Sequence, residues 1–65
     1  MSQRVQDLYD EEEFEGLLDN ARMNAANDWE ESFVADMRTR FGAYGRRMFI
    51  SDSQLEHLER IANDE

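Results

Sequence analysis

The sequence predicts an all-α fold, a small two- or three-helix domain, and three observations carry that expectation. Apolar residues recur at helical spacing in three stretches, and residues able to cap a helix precede each of them. No stretch alternates as a strand does, and proline is absent. The expected arrangement is a helical hairpin plus a C-terminal helix, in one domain covering residues 1–65.

For the first helix, Asp10 is placed to cap and Glu13 to complete a capping box. Phe14, Leu17, Leu18, Ala21 and Ala25 then follow at i, i+3, i+4, i+7 and i+11, one apolar stripe. Residues 1–9 lie ahead of this pattern and leave room for flexibility. "NAAND" offers a second start, with Asn27 or Asp28 as cap and Glu30 and Glu31 in the first turn. Trp29, Phe33, Val34, Met37, Phe41 and Tyr44 form its stripe, and Arg40 projects at the margin, where a long stem still reaches water. The alanines across 21 to 26 equally permit one continuous helix from about Glu11 to Phe41, so both readings stay open. Gly42 and Gly45 are expected to end the segment.

The third helix is the best marked. Ser51 caps, Gln54 completes a box, and Ile50 and Leu55 stand where a hydrophobic staple needs them. Over about Asp52 to Ala62, Leu55, Leu58, Ile61 and Ala62 point inward. Asp52, Glu56, Glu59 and Arg60 point outward, with Glu56 and Arg60 spaced as an i, i+4 pair. The predicted core combines Phe14, Leu17, Leu18, Trp29, Phe33, Met37, Phe41, Leu55, Leu58 and Ile61. A buried Trp29 would cost ~3 to 5 kcal/mol on replacement by alanine.

A chain of 65 residues buries only about 60% of its unfolded surface, so its core is small. Without cysteine, neither a disulfide nor a thiolate metal site can reinforce it. A partner surface or a second copy in a homodimer is the natural supplement. The opening "MSQRVQDLYDEEE" lacks the apolar segment of a signal peptide, and no run approaches a membrane span. A soluble, cytoplasmic protein is expected, with no membrane partner.

The net charge of −9 is unevenly laid out. Ten acids face Arg4 and Arg22 up to Glu31. Asp36 alone faces Arg38, Arg40, Arg46 and Arg47 up to Ile50, and the remainder is acidic again. Arginine pairs well with carboxylates, so internal pairing of the middle segment with either flank is the first expectation.

Two arginines before a well-capped helix suggest a DNA reader, yet that helix turns three carboxylates outward and follows too long a turn for a helix-turn-helix. Duplex DNA is therefore disfavoured. "DEEEFE" lacks the ligand alternation and glycine of a calcium loop, so a solvated, dipole-favoured first turn is expected rather than a metal site. His57 is the single histidine and supports neither a metal cluster nor a catalytic triad. No catalytic residue and no cofactor are expected.

Across residues 29 to 61, Trp29, Glu30, Phe33, a turn with Gly42 or Gly45, then Ser51, Gln54, Leu58 and Ile61 resemble a pattern of phage- and prophage-encoded small accessory proteins. Ser53 stands where such segments often carry lysine. The resemblance implies a viral accessory protein, in the host cytoplasm, with no catalytic residue carried over.

Three functions remain in view. The first is a protein-binding inhibitor or modulator of a host nucleic-acid-processing complex. Glu12, Glu15 and Asp19 on one outward face would imitate phosphates before a basic surface, helped by Glu30 and Glu31 and anchored near Tyr9 and Tyr44. The second is an accessory that binds single-stranded nucleic acid through Arg38, Arg40, Arg46 and Arg47, interleaved with Tyr44 and Phe49. The third is a structural helical oligomer.

Overall fold

The computed structural model describes residues 2–63. Strand β1 (Ser2–Arg4) runs into a 3-10 turn (Val5–Asp7), followed by helix α1 (Glu11–Asn24) and helix α2 (Asp28–Tyr44). A second 3-10 turn (Gly45–Arg47) leads to strand β2 (Phe49–Ser51) and helix α3 (Asp52–Ala62). The protein is thus a small, mostly α-helical domain with one short ladder. Among the described residues no helix is long and apolar enough to cross a membrane.

The helix starts are local chemistry, as expected. Asp10 donates its backbone N–H to Glu13 Oε1 at 3.0 Å ahead of α1. At α3 the box is reciprocal: Ser51 N–H donates to Gln54 Oε1 at 3.0 Å, and Gln54 N–H to Ser51 Oγ at 3.1 Å. Between α1 and α2 the chain breaks rather than continuing, because Ala25 turns extended (ψ 122°) and Asn27 takes the Glu30 N–H on its side chain at 2.9 Å. Asn24 Nδ2 donates to the Ala62 carbonyl at 2.7 Å, tying the end of α1 to the end of α3.

Gly42 lies inside α2 and does not end it; Gly45 does so alone. Gly45 has φ 60° and ψ −146°, a backbone conformation that a Cβ makes prohibitive. Its N–H reaches back to the Phe41 carbonyl.

The two strands correct the expectation of a chain without β structure. They pair antiparallel, Ser2 with Ser51, Gln3 with Ile50 and Arg4 with Phe49, and Val5 N–H extends the ladder to the Met48 carbonyl at 3.1 Å. Three residues are too few to show a period of two, and their pairing joins opposite ends of the chain. Residues 1–9 thus include a core member, since Val5 is fully buried.

The core gathers Val5, Phe14, Leu18, Ala21, Val34, Met37, Met48, Ile50, Leu58, Ile61 and Ala62. Leu17, Phe33, Phe41 and Leu55 pack partly buried against it. The expected hairpin and third helix close chiefly between α1 and α3. Phe14 is central, its ring 5.0 Å from that of Phe41 and 5.8 Å from that of Tyr9.

Trp29 is the clear departure from the predicted core: it is 58% exposed. The inward face of α2 is set by Val34, Met37 and Phe41 at i, i+3 and i+7. Phe33 sits one residue, about 100°, from Val34, and Trp29 about 40° further round the helix, off that face. They stack on each other instead (5.4 Å, 6°), and the His57 ring meets both edge-on.

Candidate functional site

Helix α1 carries its core residues Phe14, Leu18 and Ala21 on one side and a continuous polar stripe on the other. Glu12, then Glu15 with Gly16, then Asp19 and Met23 line it turn by turn at spacings of three or four residues, and all are exposed. The side chains of Glu12, Glu15 and Asp19 make neither a hydrogen bond nor an ion pair among the described residues. An added Cβ at Gly16 would meet nothing within 4 Å, so the middle of the stripe is flat and open to solvent. Met23, 73% exposed, closes the stripe with an apolar group. Sequence reasoning passed over Met23, although its i+4 relation to Asp19 was visible.

The other acidic and aromatic candidates are dispersed. Glu30 is partly buried and spent on the α2 cap, where its Oε1 accepts from Ala26 N–H at 2.8 Å. Glu31 borders a cleft of about 140 Å³ with Arg22 and Arg38, away from the stripe. Glu15 and Asp19 edge a neighbouring cleft of about 270 Å³, again with Arg38. Tyr44 is exposed at the far end of α2.

Tyr9 is half-buried and its hydroxyl donates to Glu59, so it is a joint between the start of α1 and the middle of α3 rather than a free anchor. Burial, followed by the Glu59 hydrogen bond and the charges of Glu59 and Glu13, pushes the Tyr9 phenol up to about 12. The folded state therefore holds this proton more tightly than the unfolded chain. The resulting stability is complete below pH 10, the ordinary tyrosine value, and is lost as pH rises toward 12. Chemical unfolding at pH 9 and pH 11.5 should show this loss, and Tyr9→Phe should reduce it. Equal pH dependence in the variant would assign the alkaline loss elsewhere.

Among the described residues the arginines make no salt bridge with the acidic flanks. The salt bridge found among the described residues is internal to the middle segment, Arg40 Nε to Asp36 at 3.2 Å, with both side chains about half exposed. Such a pair contributes little. Arg60 does not reach Glu56; its guanidinium donates to His57 Nδ1 at 2.9 Å, one turn back. Because guanidinium only donates, that ring nitrogen is the acceptor. Arg40 and Arg47 come together on a third cleft with Tyr44, Met48 and Phe49, whereas Arg38 lies on the α1 side and Arg46 is exposed on the 3-10 turn. Strand pairing brings Arg4 against one wall of that cleft: its guanidinium carbon lies 4.9 Å from the centre of the Phe49 ring. Nothing in the sequence signals that neighbour.

No group of three or more His, Asp or Glu side chains among the described residues is placed to hold a metal ion. Fold and surface together define a mostly helical mini-domain with an acidic helix face and a separate arginine–aromatic cleft. Comparison with protein-family models, curated proteins and solved structures finds no match for this chain.

Proposed function

We propose that this chain is a non-enzymatic protein-binding module whose α1 stripe docks on a basic partner surface. The observation that carries the reading is the exposed row Glu12, Glu15, Gly16, Asp19 and Met23, with its three carboxylates unpaired. The helix fixes the backbone positions from which these carboxylates project, and no ion pair among the described residues neutralises them. A basic surface is therefore steered toward them, and complementary charge acts mainly on the rate of encounter. Gly16 allows close approach, and Met23 supplies the adaptable apolar contact that interfaces favour. The anchors first expected at Tyr9 and Tyr44 are replaced in this reading by Met23.

The spaced carboxylates suit a protein surface built to grip phosphates. With the resemblance of residues 29 to 61 to phage accessory segments, this supports an inhibitor or modulator of a host nucleic-acid-processing complex as the role.

The experiment is capture from cell lysate on the wild-type chain beside the Glu12→Lys, Glu15→Lys, Asp19→Lys triple variant, followed by association kinetics with the retained protein. The reversal should slow association at least about tenfold and flatten its dependence on salt. An unchanged rate in a variant with the wild-type circular dichroism spectrum would refute the acidic-face mechanism.

A further inference from the structure

The third cleft uses charge in the opposite sense. It measures about 520 Å³, roomier than the two clefts beside α1, and is walled by Arg40, Tyr44, Arg47, Met48 and Phe49. That size falls within the range of about 300 to 1,000 Å³ typical of ligand sites. Two stretches build it, the last turns of α2 and the glycine-started 3-10 turn leading into β2, and β1 lies beside β2 at its edge. The ladder register sets Arg4 opposite Phe49, and the left-handed Gly45 turns the chain so that Arg47 and Tyr44 border the same space.

Two features of this cleft need a reason. First, Tyr44 and Phe49 are 65% and 57% exposed in a chain that has a small core to fill. Secondly, Arg4 and Arg47 make no salt bridge among the described residues, although the chain carries sixteen acids. Arg40 is the exception, paired with Asp36 through Nε at 3.2 Å in a half-exposed contact that contributes little. Arginines left unneutralised beside exposed rings fit a ligand that brings both anionic groups and flat faces.

We propose that this cleft binds a short segment of single-stranded nucleic acid, with Arg40 and Arg47 on phosphates and Tyr44 and Phe49 as stacking platforms for bases. Arg4, already over the Phe49 ring, steadies that ring and adds a third cation at the rim. Charge alone would accept any anion; the exposed rings select unpaired bases, whose faces a duplex hides within its own stack. An acidic peptide would satisfy the arginines and leave the rings unused. This site is independent of the α1 stripe and stands or falls without it. Because the whole chain is acidic, distant phosphates are repelled and binding is short-range, with few phosphates engaged. The logarithmic salt slope should be shallow, about −2 for three contacts on a single strand.

The test is fluorescence anisotropy of a labelled deoxythymidine oligomer of about a dozen nucleotides, within the span one small domain covers. A duplex of equal length and a labelled oligoglutamate serve as comparators. Saturable binding to the single strand, weaker binding to both comparators, and a loss of at least about fivefold on Arg47→Gln against less than about twofold for Arg38→Gln are expected. Arg38→Gln makes the same charge change on the α1 side of the molecule. Tyr44→Ala with Phe49→Ala should weaken binding about tenfold while Tyr44→Phe preserves it, and these exposed positions leave the fold's circular dichroism unchanged. Equal or tighter binding of the duplex or the oligoglutamate would overturn the proposal. So would equal losses in the two arginine variants, retention of binding without the rings, or no saturable binding by the wild-type chain.

Discussion

Replacing Phe14 with alanine is expected to remove about half or more of the chain's folding stability. Phe14 is fully buried and its ring touches neighbours from both the chain before α1 and the end of α2, at Tyr9 and Phe41. Removing a buried phenylalanine side chain costs about 3 to 5 kcal/mol, because the lost transfer energy is joined by a cavity that a small core cannot collapse to fill. A domain of this length holds in total about 3 to 10 kcal/mol. Trp29→Ala is the matched comparison. Its ring is larger, but at 58% exposure much of that area stays in water when folded, so a cost of about 1 kcal/mol is expected. Urea unfolding followed by far-ultraviolet circular dichroism reads both variants. Similar midpoints for the two would place Phe14 outside the core, and a large loss at Trp29 alone would return that ring to it.

Val5→Asp should be equally disruptive. Val5 is fully buried among apolar residues, its N–H is held by the Met48 carbonyl, and its own carbonyl accepts from Leu8 and Tyr9 N–H at 2.9 Å. The backbone therefore fixes the side chain in the core and gives a carboxylate no easy route to water. An unpaired charge in such a place costs several kcal/mol or forces local unfolding of β1 and exposure of the core residues Met48 and Ile50. Gln6→Asp introduces the same charge one residue later at an exposed position and should shift the midpoint only slightly. If the two variants melt alike, the N-terminal segment contributes nothing to the core.

The two buried positions were not equally visible in the sequence. Phe14 belongs to a stripe that continues through Leu18 and Ala21, so its inward face follows from helical period alone. Val5 stands in "RVQDLYD" outside any apolar stripe, and the strand that takes its N–H, at Met48, is more than forty residues away. The two surfaces divide in the same way. The acidic row on α1 was legible because Glu12, Glu15 and Asp19 repeat at helical spacing within one element. The arginine–aromatic cleft was legible only in part: Arg40, Tyr44, Arg47 and Phe49 are close in the chain, whereas Arg4 arrives through the ladder and Arg38 leaves for the other side of α2.

What the sequence by itself determined is therefore local: three helices, with the reciprocal cap of α3 and the Glu13 hydrogen bond at the start of α1 formed as expected, and the inward faces of α1 and α3. Capping hydrogen bonds join residues three apart, and helical stripes repeat every three or four, so each is complete within its own stretch. Tertiary structure decided whether α1 and α2 join, which of two adjacent stripes on α2 faces inward, and the pairing of β1 with β2. On α2, Trp29–Phe33 and Val34–Met37–Phe41 are both apolar and only about 100° apart, so local periodicity ranks them equally. The core has room for one stripe. Val34 and Met37 fill it, and the larger Trp29 and Phe33 stack at its edge because burying them would require volume that 65 residues do not enclose.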